Sequence, residues 1–516
     1  MRHWILMTLL VIFPSPLAAQ MVVTSARPDA VAVSVYRDPE RAGGGIDLGN
    51  LRGFALISET RTIDLPAGDA IIRFEGVADG IISVSAIVTG LPGGTVEKNR
   101  DAALLSPASL VDGMLGNRVM LRRTDRATGA VREEAATVRS SAAGAVVLQT
   151  AAGLETLRCT GLSETLVYNG VPAGLSARPT LSVMTRSPEA TRATVTLTYL
   201  ATGFDWAAHY VAELSDDGRS VDLLAWLTVA NSNGASFADA SLNALAGQVN
   251  VDSNYAALGT PPEAEPLNLS CFATQSGRFG QPALPEPKPT APMAIRLMLS
   301  DGDAPAGVIL FSMKEYGAAA VAEMENLGDL KLYRVPMKVT VAANGQKQVA
   351  LLVKENVPVQ RMYQITVSPG TPDNSVTGHL LRIDNRMGKG LGEPLPSGEV
   401  AVFEQVAGER RYAGASALRD HAVGETVNLI VGESAQVRLV QGLVGEKDRV
   451  RQDWGTELTN ANPYPVEVEV RFDWTPGEQA DNAVLDRLPR KDGYSIWTVT
   501  VPANGTETLK YRIKGR

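Results

Sequence analysis

Val339-Thr340-Val341-Ala342-Ala343-Asn344-Gly345 recurs as Val499-Thr500-Val501-Pro502-Ala503-Asn504-Gly505, six of seven positions identical. Each copy runs into an alternating segment, Gln348 to Val353 after the first and Thr508 to Ile513 after the second. Asn-Gly between two alternating runs is the strongest short-range hairpin signal. The echo therefore predicts two related β-sandwich modules that end in similar hairpins.

Outward from this echo the chain keeps a β texture. Gly 48 and Pro 30 among 516 residues, with 20% charged residues and many short Val/Ile/Leu/Thr runs, describe frequent turns between short strands. A chain of this length holds several cores. The expected fold is mainly β and multi-domain, with antiparallel sheets, Ig-like β-sandwich modules and a small SH3/Sm-like barrel insertion.

The expected divisions are a signal peptide over 1–19, an N-terminal β domain over 20–105, a barrel-like module over 106–170 and a β domain over 171–250. A Pro-rich linker or long loop over 251–293 and two sandwich modules, 294–385 and 386–516, complete them. In the first domain Ala30–Tyr36, Arg52–Leu65, Ala70–Phe74 and Ile81–Val88 read as strands of one layer. Ser106-Pro107 reads as an N-cap followed by a proline in first position, opening a short apolar helix. About five short strands follow it, the layout of a small barrel. Met313–Asn326 reads as a helix centred on Ala318–Met324.

The N-terminus carries an address. Arg2 precedes an apolar run from Trp4 to Phe13, then Pro14, Pro16 and the small residues Ala18-Ala19, as in a secretory signal peptide. The run is too short to span a bilayer, and no later stretch is long and apolar enough. The expected location is periplasmic or secreted, with no membrane span after cleavage. In an oxidising compartment Cys159 and Cys271 read first as one disulfide, with two separately buried thiols as the alternative.

Charge and motif exclude several classes. The formal net charge is -8 and the two signs are interspersed, which argues against nucleic acid and anionic lipid as partners. His209, His379 and His421 sit in no zinc pattern, and no cofactor is expected. Gly388-Lys389-Gly390-Leu391-Gly392 lacks the spacing and setting of a phosphate loop. There is no G-x-S-x-G elbow, and Glu133-Glu134 and Asp216-Asp217 put adjacent carboxylates on opposite strand faces rather than in one glycosidase site.

Longer phrases carry a family resemblance. Leu104-Leu105-Ser106-Pro107, Tyr199-Leu200-Ala201-Thr202-Gly203-Phe204-Asp205-Trp206, Asn231-Ser232-Asn233-Gly234, Ala246-Gly247-Gln248-Val249-Asn250, Leu327-Gly328-Asp329-Leu330-Lys331-Leu332-Tyr333 and Pro394-Leu395-Pro396-Ser397-Gly398 occur in this order. Together they resemble the mucoidy inhibitor A-like proteins of bacterial envelopes, the domain-of-unknown-function family 4139. The resemblance implies an exported, β-rich protein with no established reaction and no established catalytic residues. One branch of that family is tied to exopolysaccharide and carries a coiled coil in its N-terminal half. This chain departs there, having no sustained apolar heptads.

The candidate binding residues are Trp206, Tyr210 and Trp226. At period two, Phe204, Trp206, Ala208 and Tyr210 share one face, and Asp205, Ala207, His209 and Val211 the other. A Trp/Tyr face either stacks on sugars and peptides or packs a sandwich core. Asp205 and His209 are about 13 Å apart along a strand, too far to share one proton or metal. The expected function is a non-catalytic binding or scaffolding role in the cell envelope, with an envelope protein or polysaccharide as partner. The alternative is a hydrolase acting on envelope glycans or peptides. Oligomeric state is not legible in the sequence.

Overall fold

The computed structural model describes residues 21–38, 46–101, 105–125, 127–140, 146–157, 163–172, 175–247, 249, 259–260, 267, 321–406, 408–445, 451–473 and 484–514. The signal peptide, both cysteines of the expected Cys159–Cys271 bridge and nearly all of the Pro-rich linker lie outside the described residues.

The first strands are Met21–Ser25 (β1), Ala30–Tyr36 (β2), Phe54–Leu65 (β3), Gly68–Glu75 (β4), Ile87–Thr89 (β5) and Glu97–Asp101 (β6). Helix α1 (Pro107–Gly113) follows, then Arg118–Thr124 (β7), Val131–Val138 (β8), Val147–Thr150 (β9), Gly153–Thr156 (β10) and Ser163–Val167 (β11). Next come Thr180–Ser187 (β12), Thr191–Thr202 (β13), Phe204–Leu214 (β14), Ser220–Asn231 (β15) and Phe237–Ala246 (β16). The second half holds Glu323–Leu327 (β17), Leu330–Arg334 (β18), Val339–Val341 (β19), Gly345–Val367 (β20), Asp373–Asp384 (β21), Gly398–Val406 (β22) and Glu409–Leu418 (β23). It closes with Thr426–Leu443 (β24), Arg451–Asn460 (β25), Val466–Phe472 (β26), Arg490–Lys491 (β27), Tyr494–Val501 (β28) and Gly505–Lys514 (β29).

The protein is mainly β and its sheets are mostly antiparallel, as composition and alternation predict. One large core spreads from Val31 to Val431 and fills the space between the sheet β17-β18-β16-β2-β3-β13-β5 and the sheet containing β22-β14-β15-β20. A second core, from Ile365 to Ile513, belongs to the C-terminal strands, and a third lies inside the module formed by α1 and β7–β11.

That module is an insertion. Its strands run in the order β10-β9-β8-β7-β11, a meander whose last strand returns beside the first, as a small curled sheet requires. Helix α1 is nucleated as its sequence suggests. The Ser106 hydroxyl accepts from the Ser109 backbone N–H at 3.1 Å, Ser109 Oγ accepts from the Ser106 N–H at 2.7 Å, and Pro107 needs no donor there.

Pairing departs from the sequence expectation in four places. The four N-terminal segments do not form one layer: β2, β3 and β5 belong to the seven-strand path, whereas β4 pairs with β1 and β12 in a separate four-stranded sheet. The turn at Pro66-Ala67 therefore crosses between sheets. Residues 20–105 and 171–250, expected as successive domains, share both sheets, because β12 returns to β4 and β6 and β13 lies between β3 and β5. Of the helix expected over Met313–Asn326, residues 313–320 lie outside the described residues, and residues 323–327 form a strand that, among the described residues, ends its sheet path. Gly328, at φ 62°, turns Leu327 back onto Leu330, and the resulting hairpin ladder outweighs the helix preference of Ala-Glu-Met-Glu.

The fourth departure concerns the echo. Asn344 and Asn504 sit at φ 46° and 48°, yet neither joins two paired strands. β19 pairs with β16 while β20 pairs with β15, and likewise β28 pairs with β26 while β29 pairs with β25. The two Asn-Gly corners are arches that carry the chain from one sheet to the facing one. β24 contributes to both cores, with Val427, Leu429 and Val431 in the first and Val437 and Leu439 in the second, and so does the long strand β20. Its first part pairs with β15, and Val359 onward pairs with β21 and β26.

Candidate functional site

Strand β14 obeys its period. Phe204, Trp206, Ala208 and Tyr210 face the large core, and Trp206 is fully buried with its indole Nε1–H donating to the Leu245 carbonyl at 3.0 Å. Tyr210 is also buried, and its hydroxyl donates to the Pro396 carbonyl at 2.7 Å. Trp226 points the other way. Tyr210 stands opposite Ala225 and His209 opposite Trp226, so Trp226 shares the outer face with His209, whose Nδ1 is 2.9 Å from the Thr228 hydroxyl. The three candidate binding residues thus do not converge. Asp205 is buried and accepts from the backbone N–H groups of Asp38 and Trp206, which makes it a strand anchor separate from His209.

On the core face of β14, Tyr210 lines a cavity of about 290 Å³. Its walls are Tyr210, Tyr333, Met324, Leu351 and Leu352, with Ala322 and the turn Glu393-Pro394-Leu395-Pro396. Register brings the pieces together: Ala244, Tyr333 and Met324 stand side by side across β16, β18 and β17 and so point to the same side. The Tyr333 ring meets Trp206 edge-on, with centroids 6.2 Å apart, so Trp206 backs the cavity wall without entering it. Leu351 is an extra residue between Ala350 and Leu352, which pair with Trp226 and Ala225. This bulge lets two consecutive leucines reach the cavity, where a regular strand would send one to each face. The proline turn is held from behind: Leu395 and His421 exchange both backbone bonds at 2.9 Å, and Asn385 donates to the Glu393 carbonyl at 2.7 Å.

Among the described residues Glu393 is the one charged residue in the wall, and Lys354 pairs with it at 2.9 Å. Next to the proline turn, Arg37 donates to the Ser397 hydroxyl at 2.6 Å and forks onto both oxygens of Asp420, and Ser397 N–H donates to Asp420 at 2.8 Å. Burial pushes the Tyr333 phenol well up, and the charges of Asp420 and Glu393 push the same way. Burial likewise raises Tyr210, aided by Tyr333 and Asp420. For Asp420, burial acts upward but is outweighed by the bonds from Arg37 and Ser397, which hold the carboxyl below its ordinary value. These shifts keep both phenols protonated and Asp420 ionised near neutral pH, so Tyr210 stays a donor to the Pro396 carbonyl and Asp420 an acceptor from Arg37 and Ser397.

Sequence reading reached Tyr210 but missed the rest of the cavity. Tyr333 and Glu393–Pro396 lie in or beside phrases already conspicuous in the sequence, whereas Arg37 and Asp420 carry no local signal. Among the described residues no group of three or more His, Cys, Asp or Glu is placed to hold a metal ion. No protein-family model and no curated protein matches the chain.

Proposed function

We propose that this chain is an exported protein of the bacterial cell envelope that binds or scaffolds an envelope partner without catalysing a reaction. The export signal read at Arg2–Ala19 and the resemblance to mucoidy inhibitor A-like proteins support the address. The observation that carries the binding role is the cavity itself, lined by aromatic, aliphatic and proline side chains and bounded on one side by the edge strand β17. The charges around it are already matched, Arg37 by Asp420 and Glu393 by Lys354. Such a site gains affinity from apolar burial and orients its occupant with a few polar groups.

The test is capture of envelope components by the full chain, with crosslinking and mass spectrometry, repeated with Met324→Glu after the variant is shown to fold. A component crosslinked beside the cavity and lost in the variant supports the role. Capture that ignores the substitution, or no specific capture, overturns it.

A further inference from the structure

We propose that the partner is an extended protein segment of pattern basic–apolar–basic that adds as a new strand to β17 and seats its apolar side chain in the cavity. The proposal rests on the binding role above and names the occupant of the same site.

Three observations meet at β17. First, it ends the seven-strand path, and among the described residues it pairs with β18 alone. Its outer side is a row of backbone donors and acceptors of the kind that recruits extended segments. Second, all five of its residues are exposed, yet Met324 is part of the cavity wall. Because Met324 stands opposite Tyr333, a residue of an added strand placed opposite Met324 continues that row and points to the cavity side. The cavity, at about 290 Å³, has room for one large apolar side chain.

Third, charge selects the neighbours. Glu323 and Glu325 flank Met324 and point to the opposite face, where Arg334 is the counter-ion, 3.2 Å from Glu325. The two residues flanking the apolar anchor of an added strand come beside these glutamates, so basic residues are favoured there. The same geometry disfavours a second copy of this chain, since β17 against β17 sets glutamates against glutamates.

The experiment uses the full chain and fluorescence anisotropy with three labelled peptides: Thr-Lys-Leu-Lys-Thr, Thr-Lys-Ser-Lys-Thr and Thr-Glu-Leu-Glu-Thr. The expected result is that the first binds at least tenfold tighter than the other two. The double variant Glu323→Lys/Glu325→Lys alters exposed side chains and keeps the wild-type circular dichroism and melting curve. In it the preference reverses toward the Glu-Leu-Glu peptide. Equal binding of the Leu and Ser peptides, binding of none, or an unchanged preference in the double variant overturns the proposal. A wild-type dimer in ultracentrifugation that the double variant dissolves also overturns it, in favour of self-association. Envelope capture that survives the charge reversal keeps the binding role while removing β17 as its route.

Discussion

Asn231 and Asn460 do the same work in two copies of one corner. The Asn231 amide donates to the carbonyls of Ala235 and Ala342 at 3.0 Å, and its Oδ1 accepts from Asn233 N–H at 2.9 Å. The Asn460 amide donates to Tyr464 and Pro502 at 2.9 Å, and its Oδ1 accepts from Asn462 N–H at 2.9 Å. Asn344 N–H then donates to Asn233, and Asn504 N–H to Asn462. Asn231 stands opposite Gly345 and Asn460 opposite Gly505. The quoted echo is therefore half of a larger repeat, in which β15-β16-β19-β20 corresponds to β25-β26-β28-β29. Each Asn-x-Asn clamps an arch whose backbone groups have no ladder to join, which explains why these asparagines recur where the surrounding side chains differ.

Asn460→Ala removes three of these bonds in a buried corner. With about 1–3 kcal/mol for each group left unsatisfied, partly relieved by water, the expected loss is roughly 2–4 kcal/mol. Because the second hydrophobic core is separate, the loss appears as earlier unfolding of the C-terminal strands in a urea melt followed by hydrogen exchange. Asn460→Asp keeps the acceptor but loses both amide donors and falls at least as far. A loss below about 1 kcal/mol in the alanine variant shows that the clamp does not hold the arch.

Arg61 and Glu59 are both buried and tie the four-stranded sheet to its neighbour. The guanidinium bonds Glu59 at 2.6 and 2.9 Å and the carbonyls of Ser25 and Glu75 at 2.7 and 2.9 Å, and Tyr199 donates to Glu59 at 2.8 Å. Arg61→Met leaves the Glu59 charge without its partner and costs about 3–5 kcal/mol. Arg61→Met with Glu59→Leu recovers part of that loss, since the stranded charge is gone. A double variant less stable than Arg61→Met, measured by denaturant titration, overturns this account.

Much of the strand content is legible because burial on one face writes alternation into the chain. β13 runs Ala193, Val195, Leu197, Tyr199 and Ala201 inward with polar residues between most of them. Pairing is not legible in the same way. Nothing local to Leu65-Pro66-Ala67-Gly68 tells whether β4 folds back on β3 or crosses to β12, because either choice buries the same face. The cavity is legible at Tyr210 alone, through its alternation with Trp206. Arg37 and Asp420 are neighbours only through the parallel pairing of β2 with β16 and the packing of the two sheets, and no spacing in the sequence encodes that meeting.

Glu469 makes stability acid-sensitive. Burial acts to raise its carboxyl, but the bonds from Arg382, Arg471 and Gln364 outweigh burial and pull it from 4.5 to about 2. The folded value lies below the unfolded one, so this stabilisation is complete above about pH 4.5 and is lost as pH falls through about 2. The contribution is on the order of 1–3 kcal/mol after allowance for solvent screening. Urea midpoints measured between pH 7 and pH 2 fall along this window in the wild type, and Glu469→Gln flattens that part of the fall. An unchanged pH profile in Glu469→Gln removes Glu469 as its source.

Trp206 and Trp226 separate stability from binding. Trp206→Ala empties a fully buried site behind Tyr333 and strips the Leu245 carbonyl of its indole donor, at a cost of about 3–5 kcal/mol. Its effect on capture follows unfolding: partner binding by the folded fraction stays within about twofold in the cold and disappears with the melt. Trp226 lies half-buried on the opposite face of the same sheet, so Trp226→Ala costs less and leaves the cavity walls intact. Met324→Glu has the converse signature, with little change in melting temperature and a loss of capture, because it places a charge in an apolar wall that the folded protein tolerates while empty. Capture lost in Trp226→Ala and retained in Met324→Glu moves the binding surface to the outer face beside His209.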